Sequence, residues 1–375
     1  VLRIGPAIQH YAWGDREYLP ALLGRPATGE PVAECWYGAH RQAPSPLLDG
    51  PGTLADALGA ELPFLLKLLA AAVPLSLQVH PSAQQAAAGF AREEAVGIPA
   101  SAPHRSYRDP NPKPELIVAL TPFVAACGFR PLAATNELLG AAGHPDLAPL
   151  REVLSTGGPA THVLRDALSW LLACPAEAAA VLAGAAVSAM AGVPAGSPWE
   201  LERQWCPRVH QAFPGDIGVV VALLLNHVAL APGQGLFLDA GNLHAYLGGA
   251  GVEVMANSDN VLRAGLTPKH VDRGEVLAVV DTTPLEPAVQ TAGAGHHRFR
   301  APTPWFSLER DELTGDQVPV GGDGAELVLI SQGAVTTPAG PIRAGEAVVI
   351  TAGEQTATLS GTGVCWRAKA GGISV

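Results

Sequence analysis

The stretch Pro74-Leu-Ser-Leu-Gln-Val-His-Pro81 alternates along its length. Leu75, Leu77 and Val79 fall on one face and Ser76, Gln78 and His80 on the other, the period-two signature of a strand with one dry side. The polar side carries an amide and an imidazole two residues apart, and two such donors on one strand face can converge on a metal ion. Pro81 ends the strand, and Ser82 is a natural N-cap for an Ala/Gln-rich helix over Ala83–Glu94. Upstream, the apolar run Glu61–Val73 reads as a buried helix. Downstream, a loop over Gly97–Pro112 leads into an apolar strand at Glu115–Leu120.

Further out the character changes twice. From Leu132 to Gln211 Ala and Leu dominate, and Asp146–Leu154, Thr161–Ala173 and Ala176–Ala191 carry helical spacing, so a helical subdomain over 133–217 is expected to interrupt a β architecture. Strand patterns return at Val219–Leu225, Gln234–Leu238, Val252–Met255 and Val276–Val280, with Gly248–Gly251 read as a hairpin turn. Short β-like segments then recur at Ala325–Ile330, Gly345–Ile350, Gln355–Leu359 and Gly363–Arg367, the spacing of a sandwich or barrel. The expected organisation is a first β module split into 1–132 and 218–300, with a second at 301–375.

Composition narrows the function. With 375 residues the chain can bury a sizeable core, and its 42 Gly and 34 Pro, scattered without period, suit many short strands joined by turns. A net charge of −11 argues against a nucleic-acid partner. The apolar runs are too short or too interrupted to span a bilayer. The opening VLRIGPAIQHYAWG lacks the layout of a signal peptide, and the five cysteines are widely spaced with no C-x-x-C. A cytoplasmic protein with reduced thiols is expected. Only four lysines occur, Lys67, Lys113, Lys269 and Lys369, which makes each worth following.

In a chain only 15% charged, polar residues inside apolar strands are the informative ones. Glu115 opens a strand behind Asp109-Pro-Asn-Pro-Lys-Pro, and His244 lies in a turn that feeds another. His80, Glu115 and His244 would make a two-His, one-carboxylate set like that of a catalytic zinc site. A strand histidine is more often a hydrogen-bonded structural residue, and Glu115 can simply pair with Lys113. Physics alone therefore reaches a metal-binding β barrel with no substrate.

Several blocks, in order, resemble the type I phosphomannose isomerases (mannose-6-phosphate isomerases), a family of cupin-fold metalloenzymes. They are Tyr11-Ala-Trp-Gly14, Ala33-Glu-Cys-Trp-Tyr-Gly-Ala-His40, Leu62-Pro-Phe-Leu-Leu-Lys67, Pro74–Pro81, Asp109–Glu115, Gly241-Asn-Leu-His-Ala-Tyr246 and Glu253–Gly265. The resemblance implies two cupin-type jelly-roll barrels, the first interrupted by helices. It also implies a monomer that holds one zinc through Gln78, His80, Glu115 and His244. The implied activity interconverts mannose 6-phosphate and fructose 6-phosphate through a cis-enediol. Arg263, Glu253, Asp259 and Lys113 are the implied catalytic residues, and Ser76 and Lys67, with Lys113 and Arg263, the implied substrate contacts. Lys67 reads equally well as a structural lysine with a buried stem. Glu253 is favoured as the proton-transfer base because Asp259 can orient Arg263 at i, i+4. One departure stands out: the family usually has His before Lys-Pro-Glu, where this chain has Pro112, which leaves His10, His40 and His104 as unassigned candidates. The alternative is a non-catalytic metal-binding cupin that senses sugar phosphates.

Overall fold

The structure, a computed structural model, describes residues 1–351, 353 and 357–371. Among them the chain forms an eleven-stranded and an eight-stranded antiparallel sheet, with a helical stretch between strands of the first. The fold is mainly β with inserted helices, as expected.

The strand Phe64–Ala71 organises the first sheet, paired on one side with Glu34–Tyr37 and on the other with His244–Ala256. All eight of its residues are buried. Leu66, Leu68 and Ala70 face a core shared with the second sheet, against Leu308, Leu327 and Trp366. Lys67, Leu69 and Ala71 alternate onto the opposite face, where Leu69 and Ala71 pack with Ile117, Phe123 and Tyr246. The expected helix over Glu61–Val73 is thus a strand. An apolar run buried on both sides shows no periodicity, and that is the case in which helix and strand look alike.

The strand His244–Ala256 links the two halves of the barrel. Its start pairs with Gln78 and with Phe123–Phe129, and its end with Phe64–Ala71 and Glu115–Ala119. The register shifts between Tyr246 and Gly248. Beside this shift Gly249 takes φ 115°, and a Cβ there would meet the Pro122 carbonyl oxygen at 2.5 Å. The expected hairpin turn at Gly248–Gly251 is therefore a glycine bulge inside one long strand, the device that lets a strand bend and change partners.

Helices Ala148–Leu154, Ala160–Leu172 and Ala176–Gly192 lie where their spacing predicted, and Ser82 caps Ala83–Ala95 through a reciprocal bond with Gln85. Two expected strands are helices. Val219–Leu225 overlaps the short helix Gly218–Ala222, where burial among the helical core overrides the preference of three valines for strand, and only its last residue opens the strand Leu225–Leu230. Val276–Val280 belongs to helix Arg273–Val279, capped by Asp272, whose side chain accepts from Glu275 N. The strand Gln234–Leu238 is as expected, and Val252–Met255 lies inside the long strand. In the second sheet Ala325–Ile330, Gly345–Ile350 and Gly363–Arg367 overlap observed strands. The start of Gln355–Leu359 lies outside the described residues. The first strand, Leu2–Ile4, pairs with Ala347–Ile350, so the N-terminus is stitched into the second sheet. No single described helix is long and apolar enough to cross a membrane.

Candidate metal centre and active-site cleft

The barrel opens into a cleft of about 1020 Å³. At its floor His80, Glu115 and His244 bring one donor atom each within 4.8 Å of one another, all three residues buried. Their orientation follows from the strands. His244 stands opposite Gln78 across a backbone pair, and the rings of His80 and His244 are fixed from behind. His80 Nδ1–H donates to the Asn260 carbonyl at 2.7 Å, and His244 Nδ1–H to the Asn242 carbonyl at 2.9 Å. Each Nε2 is thus left with a lone pair, 3.3 Å from a different oxygen of Glu115. Lone pairs facing carboxylate oxygens repel, and His80 Nε2 is a buried atom without a hydrogen-bond partner. Gln78 Nε2 lies 3.4 Å from His244 Nε2, and a half-turn of its amide brings the carbonyl oxygen there instead. An orphaned, inward-facing set of imidazole, carboxylate and amide donors fits a zinc ion.

The electrostatics keep these groups ready for a cation. Burial first, then Lys113, pushes the His80 imidazole down to about 4, so it is neutral at pH 7. Burial opposes ionisation of Glu115, but the charge of Lys113, at 2.7 Å, outweighs it and holds the carboxyl well below its usual range.

Next to this set a second network crosses the sheet on the same face. Glu253 stands opposite Lys67. Lys67 Nζ lies 3.2 Å from Glu253 and 3.5 Å from Glu34, and 5.1 Å from the centre of the Trp36 ring. Tyr246 donates its hydroxyl to Glu253 at 2.9 Å. Burial raises the Glu253 carboxyl above its ordinary value, with Lys67 pulling the other way.

Asp259 lies across the cleft and does not pair with Arg263. Its carboxylate is taken by His40 Nε2 at 3.4 Å and Gln42 Nε2 at 2.6 Å. Burial would raise it, but the His40 contact prevails and lowers it. Arg263 instead lines the cleft with Arg108 and Lys269. Burial, and then repulsion from Arg108, lowers Arg263, and the same two arginines add to burial in lowering Lys269. Among the described residues, no carboxylate forms a salt bridge with any of these three cations.

All ten expected site residues line the cleft or the metal set at its floor. Ser76, Lys113 and Gln78 face the same space as Arg263. Of the unassigned histidines, His40 holds Asp259 and His104 stands at the mouth beside His270. His10 hydrogen-bonds the Pro31 carbonyl and is not among the cleft-lining residues. Sequence reasoning passed over Glu34, Tyr246 and Arg108, and singled out Lys269 without giving it a role. Glu34 carried the signal used elsewhere, a charge inside an apolar strand. Lys269 carried rarity.

Fold and site together define a metal-centred, double β-barrel protein with an anion-seeking rim. The family profile "Phosphomannose isomerase type I, catalytic domain" matches residues 1–132. The mannose-6-phosphate isomerase of Escherichia coli is 36% identical over 393 residues, covering 95% of this chain and 96% of that protein. The human mannose-6-phosphate isomerase is 31% identical, covering 89% and 88%. A crystal structure of mannose 6-phosphate isomerase bound with zinc and yttrium superposes with a TM-score of 0.88 at 34% identity, over 99% of each chain. The chain belongs to the type I mannose-6-phosphate isomerase family, and its barrels are of the cupin type.

Proposed function

We propose that the protein interconverts mannose 6-phosphate and fructose 6-phosphate, with one zinc held by Gln78, His80, Glu115 and His244. The observation that carries this reading is the orphaned His80 Nε2 facing Glu115 at the floor of a cleft with a cationic rim. Bound there, zinc polarises sugar oxygens and stabilises the negative charge that develops toward the enediol.

The chain's own residues supply the rest. Glu253 is the base that moves the proton between C2 and C1. Its raised carboxyl is a better proton acceptor than that of Asp259, which the His40 contact holds low. Lys113, beside Glu115, puts positive charge at the reacting end, whereas Arg263, Arg108 and Lys269, which form no salt bridge with a carboxylate among the described residues, take the phosphate, with Ser76 offering a hydroxyl. Lys67 acts through Glu253 rather than on the phosphate, since two carboxylates already occupy it. Asp259, held on both oxygens, accepts from a sugar hydroxyl. A binding-only sensor needs no buried, raised carboxyl beside its metal, and Glu253 speaks for turnover.

Residues 133–217 are the inserted helical subdomain between barrel parts 1–132 and 218–300, with 301–375 as the second barrel; the run of helices from Leu132 to Ala222 supports this partition. Five unpaired cysteines fit a reducing cytoplasm. Large exposed apolar side chains on separate elements, such as Leu48, Val96 and Val181, fit a monomer. A coupled assay on mannose 6-phosphate tests the main reading. Activity should vanish on chelation and return with zinc, and a zinc-restored protein without turnover would favour the sensor.

A further inference from the structure

Asn260 is fully buried, yet it does not line the cleft. Its whole amide is spent on one neighbouring loop. Oδ1 accepts from the backbone N–H of Arg108 at 2.7 Å and of Asp109 at 3.3 Å, and Nδ2 donates to the carbonyls of Asp109 and Asn111, both at 2.8 Å. Asp109 braces in return, its carboxylate accepting from Asp259 N at 2.7 Å and Ser258 Oγ at 2.9 Å. Through its own carbonyl Asn260 also receives the Nδ1–H of His80. Two loops without regular structure, one bearing Arg108 and the other Asp259, are thereby cross-braced beside a metal-set histidine.

Arg108 needs such a brace. It lies beside Arg263 and Lys269, whose positive charges push it away, and among the described residues no salt bridge to an acidic side chain draws it in. Left to itself, a loop arginine would swing from two like charges into water. A held backbone makes the three cations a preformed seat, with the ordering cost met in folding and not on binding. We propose that Asn260 is a positioning residue for phosphate: it fixes the backbone at Arg108 so that this guanidinium completes the cationic rim. This rests on the reading of the rim as the phosphate's seat.

A double-mutant cycle in the zinc-loaded protein tests the inference, with inorganic phosphate as the probe and its dissociation constant measured by calorimetry. Arg108→Ala should weaken phosphate binding about tenfold, the loss of a charge-assisted hydrogen bond. Asn260→Ala should weaken it by a similar factor, with zinc content retained and the KM for mannose 6-phosphate rising more than kcat falls. In the Arg108→Ala background the Asn260 substitution should have little further effect, because its route is gone. An equal weakening with and without Arg108, or none at all, overturns the proposal, since a general loosening of the fold would not be gated by one arginine. If Asn260→Ala does not fold, Asn260→Asp serves in the same cycle, keeping the acceptor for Arg108 N–H while losing both donations. Parent protein that binds no phosphate would remove the rim reading and this proposal together. Phosphate binding that follows the cycle without any isomerase activity would leave the inference standing and sink only the enzymatic reading.

Discussion

The two barrels both bury charge, and they differ in how they finish it. In the second barrel Arg367 lies on the face that also carries Leu313 and Cys365, and its guanidinium meets Glu309 at 2.7 Å, Asp311 at 3.1 Å and Glu326 at 2.7 Å. Every nitrogen has an acid, Lys369 adds charge beside Glu326, and Val328, Ile330, Ile342 and Leu359 pack in the same interior. In the first barrel the corresponding polar end holds two imidazoles whose Nε2 lone pairs face a carboxylate, with a cleft above them. Buried charge alone therefore does not mark a site. What marks it is charge left mutually repulsive and open, where a closed cluster is already satisfied.

Breaking each centre should have opposite consequences. His244→Ala removes an imidazole from the open set, and isomerase activity should fall about a hundredfold to a thousandfold, the cost of losing stabilisation of a developing oxyanion. Metal analysis should find the bound zinc gone while the melting temperature changes little. Retained zinc with full turnover would refute the assignment. Arg367→Leu removes the cation shared by three carboxylates at 1–8% exposure. Among the described residues Glu309 is then left without an ion pair, and Asp311 and Glu326 are paired only with His296 and Lys369. The substitution should destabilise the protein by about 3–5 kcal/mol in denaturant titration. Zinc content and turnover of the folded fraction should stay at parent levels. Lost zinc there would mean that the barrels are coupled more tightly than their separate polar networks suggest.

The same contrast explains what could be read from the amino-acid order. Gln78 and His80 were legible because a strand with one wet face announces itself by alternation, and Lys113 and Lys269 because lysine is scarce. Glu34 and Lys67 were harder, since their strands are buried on both faces and the polar residue is a lone exception in an apolar run. The helix expected at Glu61–Val73 failed for that reason. The expected Asp259–Arg263 pair assumed local helical spacing, whereas His40 and Gln42 reach Asp259 from more than two hundred residues away in sequence. Asn260 shows the limit most plainly. Nothing in an asparagine two residues after Ser258 says which loop its amide will hold, because that depends on tertiary approach.

Lys67 offers the finest test of the comparison, because it is the first barrel's counterpart of Arg367: one cation among carboxylates. Arg367 satisfies all of its acids, but Lys67 leaves Glu253 raised, since burial outweighs the lysine's pull. Lys67→Met keeps the apolar stem against Trp36 and removes only the charge. A cation beside a carboxyl favours its ionised form, so Glu253 should then rise further. If Glu253 is the base, only its ionised form works, and the acid limb of kcat/KM against pH should move to higher pH. Activity should be lost most at low pH and recover as pH climbs, with zinc content unchanged because Lys67 touches no metal-set residue. A limb that stays in place would mean that Glu253 is not the group whose proton the reaction uses, and the role would pass to Asp259, whose partners His40 and Gln42 this substitution leaves alone.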